Sequence, residues 1–134
     1  MKANELRIGN YVDYWFKALD IHEKEYLIQN GADIQAHENH NVFEPIPLTE
    51  EWLLKFGLIK KYIKDELEPD GYMLDDDGKR IYYWVDNGVF NLEIQPNKEI
   101  WFELYSHYRH LQYVHQLQNL YFALTNIELK IKES

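Results

Sequence analysis

A period of two is the clearest pattern at the start of the chain. Over residues 7–16, Ile8, Val12, Tyr14 and Phe16 fall on one side and Arg7, Tyr11, Asp13 and Trp15 on the other, which predicts a strand. Gly9-Asn10 marks a bulge or bend in it. A second strand is predicted over residues 24–29, completing an N-terminal hairpin, with Asn30-Gly31 as the next turn. The polar run 35–41 predicts an exposed loop. Pro45 and Pro47 then hold the chain extended.

A short central helix follows. Thr49 is a good N-cap, with a hydroxyl able to accept from the free N–H groups of the first turn. Glu50 and Glu51 suit the positive helix end. Leu48 and Leu53 stand at the positions of a hydrophobic staple. Trp52, Leu53 and Phe56 form the buried side, and Gly57 fits the left-handed position that ends the helix.

The middle of the chain predicts a β-meander whose register follows from its turns. Asn87-Gly88 favours a two-residue hairpin, since both positions need positive φ. That turn pairs Val85 with Phe90, Tyr83 with Leu92, and Ile81 with Ile94. A loop at Pro96-Asn97-Lys98 then pairs Ile94 with Ile100, Leu92 with Phe102, and Phe90 with Leu104. All these side chains are apolar and share one face, which a one-residue slip would destroy. Asp77-Gly78 is a further turn signal, joining a short strand at 72–74. The opposite face carries Tyr82, Trp84, Asn91, Glu93, Trp101, Glu103 and Tyr105, with Glu93 between Tyr82 and Trp101.

Leu111, Val114, Leu117, Leu120, Tyr121 and Leu124 recur at spacings of three and four, predicting a helix over 111–124. Its expected role is to cover the apolar face of the meander, with Asn126 ending it in a left-handed conformation. Ile127, Leu129 and Ile131 alternate with charged residues and read as a closing strand. The expected fold is therefore a single α+β domain spanning 1–134. It has an antiparallel meander packed against a C-terminal helix, a short central helix and an N-terminal hairpin.

Composition narrows the function. The chain of 134 residues has no cysteine, which excludes disulfides and thiolate metal sites. No apolar run opens the chain, and none approaches the ~18 residues of a membrane helix, so a cytoplasmic protein with no membrane partner is expected. The formal net charge of −9 repels phosphate backbones over roughly 8–10 Å in physiological salt. Nucleic acid is a disfavoured partner on this ground. The acids concentrate at 65–77, just after Lys55, Lys60, Lys61 and Lys64, which reads as a solvated acidic loop beside a basic strand or helix end.

Candidate chemistry is sparse. His37-Glu38-Asn39-His40 lacks the zinc-protease spacing, because Asn41 stands where the second histidine is needed. Asp75-Asp76-Asp77-Gly78 resembles part of a calcium loop, but aligning Gly78 puts Met73 at the first ligand position and Trp84 at the last. No metal and no cofactor is expected. His107, His110 and His115 gather around the start of the last helix, where surface or helix-entry histidines are the plain reading. The aromatic face is the remaining candidate for binding. Its rings could stack bases, but Glu93 and Glu103 stand where a nucleic-acid site needs cations. A protein, or a sugar that stacks on rings and bonds to carboxylates, suits it better. The alternative is that the N-terminal strands or the Thr49 helix cover this face.

Three segments carry a resemblance: residues 1–12 (MKANELRIGNYV), 43–57 (FEPIPLTEEWLLKFG) and 113–125 (YVHQLQNLYFALT). Together they resemble a family of small proteins of Bacteroidetes genomes, their prophages and other mobile elements, to which no activity is attached. The family usually has Gly where this chain has Asn126. The resemblance implies a bacterial or phage cytoplasmic protein and brings no catalytic residues. The function expected is a non-catalytic protein-interaction module, with a protein as its partner. The alternatives are a small hydrolase using carboxylates and the His107/His110/His115 cluster, a carbohydrate-binding protein, or nucleic-acid binding through the rings.

Overall fold

The computed structural model describes residues 1–64, 79–84, 91–95, 97–104 and 107–132. Its contacts form two compact units, Met1–Pro47 with Tyr113–Lys130, and Leu48–Gln112 with the tail from Ile131. Each unit is built on one antiparallel sheet, and with the helices they make an α+β fold. Among the described residues no helix is long and apolar enough to cross a membrane.

In the first unit, β1 (Tyr11–Phe16) pairs with β2 (Ile21–Leu27) on one side and β3 (Phe43–Glu44) on the other. The hairpin turns through Asp20, which is left-handed at φ 52°. Glu25, at φ 57°, sits where the register shifts, and its N–H donates to Asp13 Oδ1 at 3.1 Å. Val12 is buried with Leu6, Ile28, Val42 and Phe43, and Tyr14, Phe16 and Tyr26 pack on this cluster. The predicted apolar side is thus the core side from Val12 onward. Ile8 is 54% exposed, because Gly9 at φ 100° turns the chain before the strand begins.

The segment 35–41 is not a loop but most of a helix, α1 (Gly31–His40), and Asn30-Gly31 is its start rather than a turn. The helix has no apolar stripe for periodicity to find. Its ends specify it instead. Asn30 Oδ1 accepts the Asp33 N–H at 3.1 Å, while Asp33 accepts the Gln29 N–H and the Tyr26 hydroxyl, both at 2.9 Å. Burial and that Asp33 bond push the Tyr26 hydroxyl up to about 12. Asn41, at φ 51°, closes the helix.

The last helix, α3 (Val114–Thr125), starts later than residue 111, and Asn126 ends it at φ 60° as expected. It belongs to the first unit, where it is anchored on β1. The anchor is Gln118, fully buried on α3. Its Oε1 accepts the Tyr11 N–H at 2.9 Å, and its Nε2 donates to the carbonyls of Gly9 at 2.8 Å and Leu129 at 3.0 Å. Asn10, also fully buried, donates to Asn119 Oδ1 at 2.8 Å and accepts the Arg7 N–H at 2.7 Å. The Arg7 guanidinium pairs with Glu128 at 2.5 Å and lies 4.2 Å over the Phe122 ring. Residues 127–132 form no strand; Gln118 occupies the Leu129 carbonyl that a ladder would use.

In the second unit, α2 (Glu50–Lys55) follows the predicted design with one correction. Trp52, Leu53 and Phe56 are buried, Leu48 and Leu53 are buried as the staple requires, and Gly57 takes φ 79°. Thr49 is the N-cap, but its hydroxyl makes no capping bond. The Trp52 and Leu53 N–H groups go to the Thr49 backbone carbonyl instead, at 3.1 and 3.3 Å. The basic segment after α2 is a strand, β4 (Ile59–Lys64). With β5 (Lys79–Trp84), β6 (Asn91–Ile94), β7 (Ile100–Leu104) and β8 (His107–Leu111) it forms a five-stranded sheet in sequence order.

The derived register is the observed one wherever it is described. Tyr83 faces Leu92, Leu92 faces Phe102, and Ile94 faces Ile100. Leu92, Ile94, Ile100 and Phe102 are buried, and Leu111 from β8 joins them. Residues 107–111, expected as helix entry, are therefore the edge strand of this sheet. Val85, Asn87-Gly88, Phe90, the 72–74 strand, the Asp77-Gly78 turn, Pro96 and Tyr105 lie outside the described residues.

Candidate functional site

The second face of the five-stranded sheet is assembled by a turn and two strands. Between β6 and β7 the chain reverses through Lys98, left-handed at φ 73°, whose N–H donates to the Gln95 carbonyl at 2.9 Å. Asn97 Oδ1 accepts the Glu99 N–H at 3.0 Å, fixing the end of the turn. Glu99 closes the turn just before β7, two residues ahead of Trp101. The Trp101 indole N–H donates to Glu99 Oε2 at 3.0 Å. Directly across the ladder, His110 stacks on Trp101 with centroids 5.1 Å apart and planes 12° from parallel. The exposed Tyr108 meets Trp101 edge-on at 6.2 Å. His110 Nε2 stands 3.7 Å from Glu99 Oε2. Gln95, Asn97, Glu99, Trp101 and Tyr108 line a shallow open depression of about 320 Å³.

Of the residues singled out in the sequence, Glu93 and Trp101 are neighbours across β6 and β7, and Tyr82 stands opposite Glu93, as derived. Glu93 is 2% exposed, with Gln95 Nε2 donating to its Oε2 at 3.3 Å, so it lies beneath the surface rather than on it. Trp84 stands opposite Asn91, and Glu103 opposite Tyr108. The reading of the sequence missed Gln95, Asn97, Glu99 and Tyr108, and grouped His110 with His107 and His115 rather than with the aromatic face. Tyr108 and His110 alternate with Arg109 and Leu111, a strand signal hidden by the helix that follows. A second cavity of about 450 Å³ is lined by Leu48, Thr49, Glu50, Glu51, Lys98 and Ile94, a residue of the apolar face.

The other histidines do different work. His107 opens β8 opposite Leu104, and His115 lies on α3 in the first unit. His37 is buried in α1, its Nδ1 accepting the Phe43 N–H at 3.0 Å while Nε2 donates to the Met1 carbonyl at 2.9 Å. Those partners fix the neutral Nε2–H tautomer. Among the described residues no group of three His, Asp or Glu is placed to hold a metal ion.

His115 is 2% exposed, and its Nδ1 finds no hydrogen-bond partner among the described residues. Burial lowers its pKa; the Glu5 carboxylate opposes this and the N-terminal amine adds to it. The unfolded chain, with an imidazole pKa of about 6.5, then binds more protons than the folded one as pH falls below neutral. Stability present above that value is expected to be lost on acidification. Urea unfolding at pH 7.5 and pH 5 should show the loss, and His115→Gln should reduce it. An equal loss in that variant would assign the effect to other groups.

Comparison of the chain with protein-family profiles, with curated proteins and with solved structures returns no match.

Proposed function

We propose that this chain is a non-catalytic binding protein and that the Trp101 side of its five-stranded sheet takes a protein partner. The observation that carries this is how Trp101 is held. Its ring is clamped by His110 on one face and pinned at its N–H by Glu99, beside an exposed Tyr108. An aromatic anchor fixed before binding loses little side-chain freedom on association, and such anchors dominate interface energetics. The His110–Glu99 approach supports a hydrolase less well. The two are 3.7 Å apart, and Glu99 Oε2 already accepts the indole N–H, so the pair braces a ring. Nucleic acid is disfavoured by the carboxylate beside the rings and by the net charge of −9. The resemblance in the sequence fits a bacterial or phage setting.

The test is a pull-down from lysate of the source organism with the native chain and with Trp101→Ala/Tyr108→Ala. The native chain is expected to retain a partner that the folded double variant loses. A partner retained equally by both would move the binding surface elsewhere.

A further inference from the structure

The chain already contains one complete arginine site. In the first unit the Arg7 guanidinium lies over the Phe122 ring at 4.2 Å, pairs with the Glu128 carboxylate at 2.5 Å, and approaches the Gln118 carbonyl at 3.4 Å. Ring face, carboxylate and amide oxygen are the three surfaces a guanidinium uses: its plane stacks, and its fork of N–H groups donates in two directions. The depression beside Trp101 offers the same kinds of group on an open surface. Tyr108 and Trp101 supply rings, Glu99 the carboxylate, and Gln95 and Asn97 side-chain amides. None of these five lining residues is cationic; His110 stands 3.7 Å from Glu99 and stacks on the indole, and Lys98 lies between Asn97 and Glu99 in the turn.

We propose that this depression receives an arginine side chain from a protein partner, an inference that rests on the binding surface proposed above. Charge favours this occupant. A chain of net charge −9 attracts basic segments and speeds their encounter, whereas a neutral sugar gains nothing from that field. A lysine ammonium could pair with Glu99 but lacks the plane that stacks and the fork that reaches the amide oxygens.

The probe is N-acetyl-argininamide, which presents arginine as it occurs within a chain, read by the NMR signal of the Trp101 indole N–H. Trp101→Phe assigns that signal. Addition is expected to shift it saturably. N-acetyl-citrullinamide, the neutral isostere, should bind about tenfold more weakly, as loss of a charge-assisted hydrogen bond implies. Glu99→Gln keeps an acceptor for the indole N–H and removes the charge, so it should abolish the preference for arginine over citrulline. Equal shifts with both probes, or a shift with cellobiose but not arginine, would overturn the proposal. Loss of the lysate partner in the Trp101 variant without any arginine response would leave the binding surface standing and sink only this assignment.

Discussion

Gln118→Leu is expected to cost about 3–5 kcal/mol of stability, because it removes the partner of two buried backbone groups and one half-buried one at once. Leucine fills a similar volume, so the loss is polar rather than a cavity effect. The Tyr11 N–H and the Gly9 and Leu129 carbonyls each lose their side-chain partner. A buried group left without a partner costs about 1–3 kcal/mol, and relaxation recovers part of the sum. The total is a large share of the roughly 5–15 kcal/mol that holds a small domain together. Urea denaturation followed by circular dichroism measures it. Asn10→Ala, which breaks the bonds to Asn119 and to the Arg7 N–H, should cost less. If Gln118→Leu changed stability by under about 1 kcal/mol, the amide would not be what docks α3 on β1.

Those residues show what the sequence alone could not place. Arg7 and Asn10 lie in the first of the three resembling segments, and Gln118 and Asn119 in the third. In the folded chain they bond to one another's segments, in a polar network that joins the start of β1 to α3. Their role is architectural. From sequence alone a Gln inside an amphipathic helix reads as a solvent-facing position, since periodicity scores it polar. Only the strand that arrives from more than a hundred residues away makes it core. The same limit hid α1. Asn30 and Asn41 cap it, but they bracket a segment with no apolar face, and Asn30-Gly31 reads as a turn.

The meander was legible for the opposite reason. Its turns fix the register locally, and alternation then assigns every side chain to a face, so pairs such as Leu92 with Phe102 followed without knowledge of the rest of the fold. The candidate site was half legible for a related reason. Trp101 and Glu93 came out of that register, whereas Tyr108 and His110 sit on a strand that periodicity assigned to the approach of α3. Glu99 lies in the turn, where alternation gives no guidance until the strand begins. A face read from three strands therefore lacked the strand that supplies its exposed ring.

The adjacent pair Trp101 and Phe102 offers the sharpest test of which side of this sheet is core. Phe102 is 6% exposed, on the face with Leu92, Ile94, Ile100 and Leu111. Phe102→Ala is expected to cost about 3–5 kcal/mol, the range for emptying a core aromatic site. Trp101→Ala removes a larger ring, yet one that borders open solvent in the depression with Gln95 and Tyr108. Its loss should cost about 1–2 kcal/mol, from the stack on His110, the edge contact with Tyr108 and the bond to Glu99. Chemical denaturation of both variants under one set of conditions gives the comparison directly. The larger residue should thus be the cheaper one to remove, the reverse of what size alone dictates. If Trp101→Ala destabilised the protein as much as Phe102→Ala, the ring would be holding the sheet together. Its clamping by His110 and Glu99 would then be packing, and the binding surface would have to be sought away from it, first in the acidic stretch of the sequence at 65–77.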